Sequence, residues 1–230
     1  MDKKVSVIIP AYNEEKNIQR VIEKYRSQNY PGLEIIVVAN NSTDRTFEIA
    51  QQYADAVLDI KENIGVCKAR NEGAKIATGD IFIFSDADSF LSQEAVEKIV
   101  PCILPFNVGT PLGRADNNKL TGQFFFFIKN WLHRLGIYKG IIDGVLICHK
   151  DIFNSTSGFN ENIKIGEFND FIKRAVKVGG QYRVFTQGYA VTSLRRYEEK
   201  GYIAVFFFWI AWKITSLFKK NNSLENRYFT

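Results

Sequence analysis

Apolar positions in the first hundred residues switch between two periods. Val5 to Ile9 is a short apolar run rich in β-branched residues, closed by Pro10, and it predicts a buried strand. Ile18, Val21, Ile22 and Tyr25 then recur at i, i+3, i+4 and i+7, which predicts a helix. Pro31-Gly32 breaks the chain, and Ile35 to Val38 predicts a second buried strand. Asn41-Ser42-Thr43-Asp44 supplies turn and N-cap chemistry for a helix carrying Phe47, Ile49 and Ala50. Ala56 to Leu58 predicts a brief third strand. Gly65 opens a helix through Ala77, closed by Thr78-Gly79-Asp80. Ile81 to Phe84 predicts a fourth strand, with Ser85-Asp86-Ala87-Asp88 at its C-terminal end, and Ala95, Val96, Ile99 and Val100 form one helical face before Pro101. Such alternation implies an α/β fold with a mostly parallel sheet and right-handed crossovers. Ligands of such sheets bind beyond the carboxyl ends of the strands. The polar segments after Ile9, Val38 and Phe84 are therefore expected to converge.

The second half is less regular. Pro105 to Asn118, with its Gly, Pro and Asn, reads as a loop or edge strand. Thr121 to Gly136 predicts a helix carrying Phe124 to Phe127, Trp131 and Leu135, and Gly144 to Cys148 another strand. A helix is expected from Gly166, with Phe168, Phe171, Ile172, Ala175 and Val176 on one face and Gly179-Gly180 at its end. Tyr182 to Phe185 and Ala190 to Leu194 predict two strands, and Tyr202 to Phe218 an aromatic helix before a polar tail.

Composition narrows the class. With 230 residues, 46% hydrophobic and 24% charged, the chain reads as globular, one large domain or two small intimate ones, not a disordered chain. Its three cysteines, Cys67, Cys102 and Cys148, lie far apart, which argues against a disulfide framework or structural zinc and for a reducing compartment. The formal charge of +5 admits a basic functional surface or ordinary solubility. No secretory signal is read at the N-terminus, and no full membrane span is expected.

Asp86 and Asp88 flank one alanine at a strand end. Side chains at i and i+2 of an extended segment point the same way, so the two carboxylates repel unless a cation sits between them. Mg2+ or Mn2+ prefers such oxygen ligands and shares its shell with phosphate oxygens.

At this point the sequence resembles a family. Val5-Ser6-Val7-Ile8-Ile9-Pro10-Ala11-Tyr12-Asn13-Glu14-Glu15 is similar to the opening of family 2 glycosyltransferases of the GT-A fold. The stretch Ile36 to Thr46, the segment from Glu62-Asn63-Ile64-Gly65 through Ala69-Arg70-Asn71-Glu72-Gly73-Ala74, the Asp-X-Asp of Asp86 and Asp88, and Gly158-Phe159-Asn160-Glu161 with Gly166-Glu167 follow in the family's order. The resemblance covers roughly residues 5 to 195. It implies a Rossmann-like α/β/α sandwich, an inverting transfer from a nucleotide-diphosphate sugar, and Mg2+ or Mn2+. It also implies one catalytic domain over 1–200, its nucleotide-sugar half at 1–104 and its acceptor half at 105–200, with a C-terminal aromatic and basic helix and tail at 201–230. By resemblance, Pro10, Ala11, Tyr12, Asn13 and Glu14 hold the nucleoside with the turn after the second strand. Arg70 lies where an arginine helps hold base or diphosphate, Asp86 would touch the ribose or the metal shell, and Asp88 would bind the metal. Arg195 and Arg196, forked donors suited to phosphate, fall where the family places basic residues over the diphosphate.

Two departures stand out. Where the family usually has Asp-Asp after the second strand, this chain has Ala39-Asn40; the Asn40 amide can donate and accept and is expected to read a base edge or to serve only as a turn. Where the family commonly has Glu-Asp, this chain has Glu167-Phe168. Phe168 falls on the apolar helical face. Glu167 and Asp170 share a flank, and either could take the proton from an acceptor hydroxyl. Glu167 is preferred, because it borders the apolar face; Asp170 has Arg174 one turn on, which offers a surface ion pair instead. A phosphate acceptor would need no base. His133 and His149 are lone histidines; some relatives of the resembled family use a late His as a metal ligand, but His149, next to Lys150, reads as a structural or surface residue.

The stretch Ile203 to Phe218 is apolar on nearly every side, interrupted by Lys213, and too short for the hydrocarbon core. It is expected to lie at a membrane interface, with a docked helix or a homodimer contact as the competing readings. Phe124 to Trp131 offers a second contact or an acceptor groove. These features lead to the expectation of a lipid-linked acceptor, a polyprenyl phosphate or glycolipid, and a cytoplasmic enzyme peripheral on the inner face of the cell membrane, with no nucleic-acid partner. A soluble or polysaccharide acceptor, a sugar-phosphate nucleotidyltransferase and a catalytically silent nucleotide-sugar-binding module stay open, although Ala11-Tyr12-Asn13-Glu14 lacks the glycine that a nucleotidyltransferase's phosphate loop would want.

Overall fold

The computed structural model describes residues 3–28, 30–117, 119–136, 144–194 and 201. Arg195, Arg196 and the expected helix Ile203 to Phe218 lie outside the described residues. The chain divides into two compact units, Met1–Thr192 and Ser193–Thr230, and the fold below is that of the first.

The elements run β1 (Val5–Ala11), α1 (Ile18–Arg26), β2 (Leu33–Asn40), α2 (Thr46–Tyr53), β3 (Ala56–Ile60), α3 (Val66–Ile76), β4 (Ile81–Ser85), β5 (Ser89–Leu91) and α4 (Ala95–Ile99). After a short 3-10 turn come β6 (Asn107–Ala115), α5 (Leu120–Arg134), β7 (Val145–His149), α6 (Lys150–Ser155), α7 (Glu167–Lys177) and β8 (Gln181–Thr192). The strands form one eight-stranded sheet ordered β3-β2-β1-β4-β7-β6-β8-β5. β3, β2, β1 and β4 are mutually parallel, β7 is antiparallel to β4 and β6, and β8 is parallel to β6. The sheet is thus mixed but mostly parallel, as expected.

Both faces are covered, which is why the strands are apolar without alternation. Val5, Val7, Ile9, Ile35, Val37, Ile81 and Ile83 face a core shared with Ile18, Val21, Ile22 and Tyr25 of α1, Ala50 of α2 and Val96 of α4. Ile8, Ile36, Phe82 and Phe84 face the opposite core, with Cys67 and Ala74 of α3, Phe153 of α6, and Phe168, Phe171 and Ala175 of α7. Gly73 lets α3 approach closely, since a Cβ there would lie 2.6 Å from Ile8 Cγ2 and 3.0 Å from Val38 Cγ2.

Four details differ from expectation. β6 is an interior strand, buried at nearly every position, not a loop or sheet edge. Its Pro111, which cannot donate to the ladder, sits at a register shift between Pro111 and Leu112. The two strands expected after Gly180 are one, β8, whose irregularity faces that shift. Val176 is exposed, one position past the buried stripe Phe168, Phe171, Ile172 and Ala175. Finally, α5 is turned against the usual polarity: Phe126, Lys129 and His133 are buried, while Leu120, Phe124, Phe127 and Trp131 are exposed. Burial pushes the Lys129 ammonium well below its usual range, and burial, with Lys129 nearby, brings the His133 imidazole down to about 4. Among the described residues, no helix is long and apolar enough to cross a membrane.

Candidate active site

Because β1, β2 and β4 are parallel, their C-terminal ends share one edge, with Ala11 in register with Ala39. The loops that leave β1 and β2 are latched together. The Asn13 N–H donates to Ser42 Oγ at 3.2 Å and the Thr43 N–H to Asn13 Oδ1 at 2.8 Å. The Glu14 N–H donates to Thr46 Oγ1 at 2.8 Å and the Glu15 N–H to Asp44 Oδ2 at 3.0 Å. Asn13 and Asn41 both take positive φ, at 53° and 61°, which short polar side chains tolerate. Asp44 also accepts the Thr46 N–H at 3.0 Å. Burial would raise its pKa, but these donors outweigh it and hold the carboxyl below its usual range. Pro10 is partly buried in β1, whereas Tyr12 is 51% exposed at the lip of the latched loops.

Asn40 ends β2, buried. Its Nδ2 donates to Asn63 Oδ1 at 3.2 Å and its Oδ1 accepts the Ile64 N–H at 3.0 Å. The amide thus pins the loop that enters α3.

Arg70 joins the remaining candidates. It lies on the inward stripe of α3 with Cys67, Gly73 and Ala74, and its side chain is 1% exposed. One Nη donates to Asp86 Oδ1 at 2.6 Å and the other to Glu167 Oε1 at 2.9 Å. Its guanidinium carbon stands 4.1 Å from the Phe168 ring centroid and 5.4 Å from that of Phe159. Burial pulls the Arg70 pKa down, but Asp86 and then Glu167 outweigh it and leave it above the ordinary value. A single cation therefore ties the end of β4 to the first turn of α7. Phe168, in the place where the family commonly has an acid, supplies the ring against which that cation stacks.

Glu167 begins α7 after Gly166, whose φ of +77° turns the chain into the helix. Asp170 faces elsewhere. It accepts from Arg174 Nε at 2.8 Å, and Arg174 donates onward to the carbonyls of Thr156 and Gly158 at 2.8 and 2.7 Å. The structure brings Arg70, Asp86 and Glu167 together and gives Asp170 to the loop before α7. His149 caps α6, accepting the Asp151 N–H.

Sequence reasoning did not single out Gly144 or Asn63. Gly144 accepts the Asp86 N–H at 2.8 Å, and at φ +67° a Cβ there would lie 2.7 Å from Asp86 Oδ2. A side chain would therefore fill the cradle beside that oxygen. Asp88 lies two residues on, its Oδ1 accepting from Ser89 Oγ at 3.3 Å. Among the described residues, no group of three or more His, Cys, Asp or Glu side chains gathers around one point. Asp86 and Asp88 remain a hard-oxygen pair, fit to share an ion with a ligand's own oxygens.

A hollow of about 290 Å3 opens between β6, α5 and β8, lined among others by Arg114, Gln123, Phe127, Asn130 and Tyr189. Asn130 fixes its wall, bonding Gly113 through both its amide oxygen (2.9 Å) and nitrogen (2.8 Å).

Comparison with known proteins agrees with this architecture. Glycosyl transferase family 2 matches residues 6–135, a span that includes Arg70, Asp86 and Asp88 and ends before α7. The dolichol-phosphate mannosyltransferase of Pyrococcus furiosus is 34% identical over 168 residues, 68% of this chain and 45% of that protein. Glycosyltransferase GlyA of Streptococcus pneumoniae is 31% identical over 154 residues, 64% of this chain and 21% of that protein. The chain thus spans less than half the length of these curated relatives. Among solved structures, the mannosyltransferase PcManGT of Pyrobaculum calidifontis, in complex with GDP-Man and Mn2+, superposes with a TM-score of 0.69 at 19% identity over 83% of this chain and 57% of that one. TarS of S. aureus with UDP-GlcNAc gives 0.66 at 23% identity over 82% and 58%. At those identities the likeness is one of fold, and the fold is that of GT-A glycosyltransferases. With more than half of its residues matched, the chain belongs to glycosyl transferase family 2.

Proposed function

We propose that the protein is an inverting glycosyltransferase that takes a sugar from a nucleotide-diphosphate donor and passes it to a lipid-linked acceptor. The observation that carries this reading is the shared edge of the parallel strands, after which come both the latched loops of β1 and β2 and the Asp86 carboxylate that Arg70 ties to Glu167. In this reading Pro10 to Glu14 hold the nucleoside, with Tyr12 exposed to stack on the base. Asn40, which also holds the Asn63–Ile64 loop, is assigned to the edge of the base. Asp86 and Asp88 would hold Mg2+ or Mn2+, which when bound would neutralise the diphosphate and the charge developing on the leaving nucleoside diphosphate. Arg70, bonded to Asp86 and Glu167 at this edge, is assigned with them to the base or diphosphate of the donor. Arg195 and Arg196 are assigned to the diphosphate from the resemblance alone.

The transfer forms a bond from the acceptor oxygen to the anomeric carbon while the bond to the diphosphate oxygen breaks on the opposite face. For a hydroxyl acceptor, Glu167 is the group we assign to receive the proton, with Asp170 as the alternative. For a polyprenyl phosphate, no proton need move. The hollow beside Arg114, on the acceptor half, offers a cation and aromatic walls to such an anionic head group. The family relative from Pyrococcus furiosus, by its name a dolichol-phosphate mannosyltransferase, supports a lipid-phosphate acceptor. The GDP-Man, UDP-GlcNAc and Mn2+ of the structural neighbours support a nucleotide sugar and a divalent ion.

Thermal unfolding with UDP, GDP, CDP and their sugars, with and without Mn2+, tests the reading. One nucleotide series should raise the midpoint, and more so with Mn2+. A flat response across all of them would overturn the donor assignment.

A further inference from the structure

The exposed face of α5 has no place in the donor chemistry. Leu120 is 86% exposed, Phe124 64%, Phe127 68% and Trp131 56%, with Ile128 and Leu135 partly exposed beside them. These positions recur at helical spacing and form one continuous stripe. An exposed aromatic side chain presents on the order of 100 Å2 or more of apolar surface, so the stripe amounts to several hundred Å2, at or beyond the largest patch usual on a soluble monomer. The inner face of the same helix buries Lys129 and His133. The sequence thus places its charge inward and its aromatics outward, the reverse of a helix selected for water.

Charge decides what the stripe fits. Between Asp116 and Asp143 the chain carries no acidic residue, whereas Lys119 and Arg134 are exposed at the two ends of α5. Arg114, also exposed, stands 5.8 Å from the Tyr189 ring at the hollow along the helix. A second copy meeting the stripe across a two-fold axis would bring cation against cation. An anionic bilayer offers the opposite charge together with an apolar layer. Trp is the side chain most at home at the headgroup boundary, and Phe and Leu insert below it.

We propose that the outer face of α5 is a membrane-docking surface that lies in the headgroup layer of an anionic bilayer, with Lys119, Arg134 and Arg114 towards lipid phosphates. The inference rests on the lipid-linked acceptor reading for its purpose, but not for its physical basis.

The chain has three tryptophans, Trp131, Trp209 and Trp212. In the full chain carrying Trp209→Phe and Trp212→Phe, Trp131 is the sole tryptophan reporter. Vesicles of phosphatidylcholine with phosphatidylglycerol should shift its emission to the blue, and bromine-labelled acyl chains should quench it; pure phosphatidylcholine should do neither. Adding Leu120→Gln and Phe124→Gln should weaken partitioning by about tenfold or more and leave nucleotide affinity, followed by calorimetry, unchanged. An unmoved Trp131 signal while the protein sediments with vesicles would overturn the proposal, as would failure to bind vesicles. A blue shift that follows protein concentration without lipid would replace the bilayer with a second copy. Nucleotide binding that persists without vesicle binding sinks this surface alone; vesicle binding without any nucleotide response sinks the donor reading alone.

Discussion

Replacing Arg70 by Met should test the central contact of the site. Met fills much of the same volume among Phe159 and Phe168 but leaves Asp86 and Glu167 without their shared cation. Removing one partner from a buried ion pair costs about 3–5 kcal/mol, and the lost stacking adds about 0.5–2 kcal/mol. Asp86 is 40% exposed, so water relieves part of its share, while Glu167, at 18%, is relieved less. The expected loss is therefore about 3 kcal/mol, which for a domain of this size lowers Tm by about 6–12 °C. Arg70→Lys should fall between, because one ammonium cannot fork to both carboxylates. Adding Glu167→Gln to Arg70→Met removes one orphaned charge and should recover about 1 kcal/mol or more, a coupling that contact through Arg70 requires. Urea unfolding of the four proteins, followed by far-UV dichroism, measures each term. A loss below about 1 kcal/mol for Arg70→Met, or no recovery in the double variant, would refute the bridge.

Asp88→Asn should keep the fold and nearly the whole midpoint of unfolding, yet remove the Mn2+-dependent part of nucleotide binding, as read by calorimetry with and without Mn2+. Gly73→Ala should cost about 1–3 kcal/mol in urea unfolding, because its Cβ would stand 2.6 Å from Ile8 Cγ2 and push α3 off the sheet. His133, held at about 4 when folded against 6.5 in the open chain, gives a pH effect of fixed sign. The unfolded chain takes up this proton below about pH 6.5 and the folded chain only near 4, so its contribution is full above 6.5 and falls as pH drops between them, by up to about 3 kcal/mol. His133→Gln should flatten that limb relative to the parent in urea midpoints taken at about pH 7 and 4.5.

The fold was legible where period and burial agree. β1, β2 and β4 are apolar on both faces because helices cover both faces, and the run of residues says so directly. β6 was not legible, since Asn107 to Ala115 carries two glycines and Pro111, residues that weaken a strand reading. What overrides them is tertiary: β7 and β8 flank the strand, and the missing Pro111 donor falls at the register shift. β8 was split for a related reason. Thr186-Gln187-Gly188 looks like a turn in sequence, but it is the irregular stretch facing that same shift. For α5 the periodicity predicted the helix and hid its orientation, because four consecutive phenylalanines put an aromatic on every side.

At the site, the segments were legible and their partners were not. The spacing of Arg70 from Cys67, Gly73 and Ala74 already pointed it inward, yet a lone arginine near a phosphate-binding motif invites a ligand before a neighbour. The carboxylates it bonds are 16 and 97 residues away. Once they are known, the exchange of an acid for Phe168 has a physical consequence. It supplies a ring for the guanidinium that pairs with Asp86 and Glu167. A nucleoside diphosphate would bring further negative charge to the Asp86 and Asp88 pair. In the proposed reading, a donor can then settle at this edge only with a divalent cation between it and the carboxylates. The dependence of donor binding on Mn2+ should consequently weaken when Asp86 or Asp88 is neutralised, and persist when Asp170, whose charge Arg174 already balances, is neutralised instead.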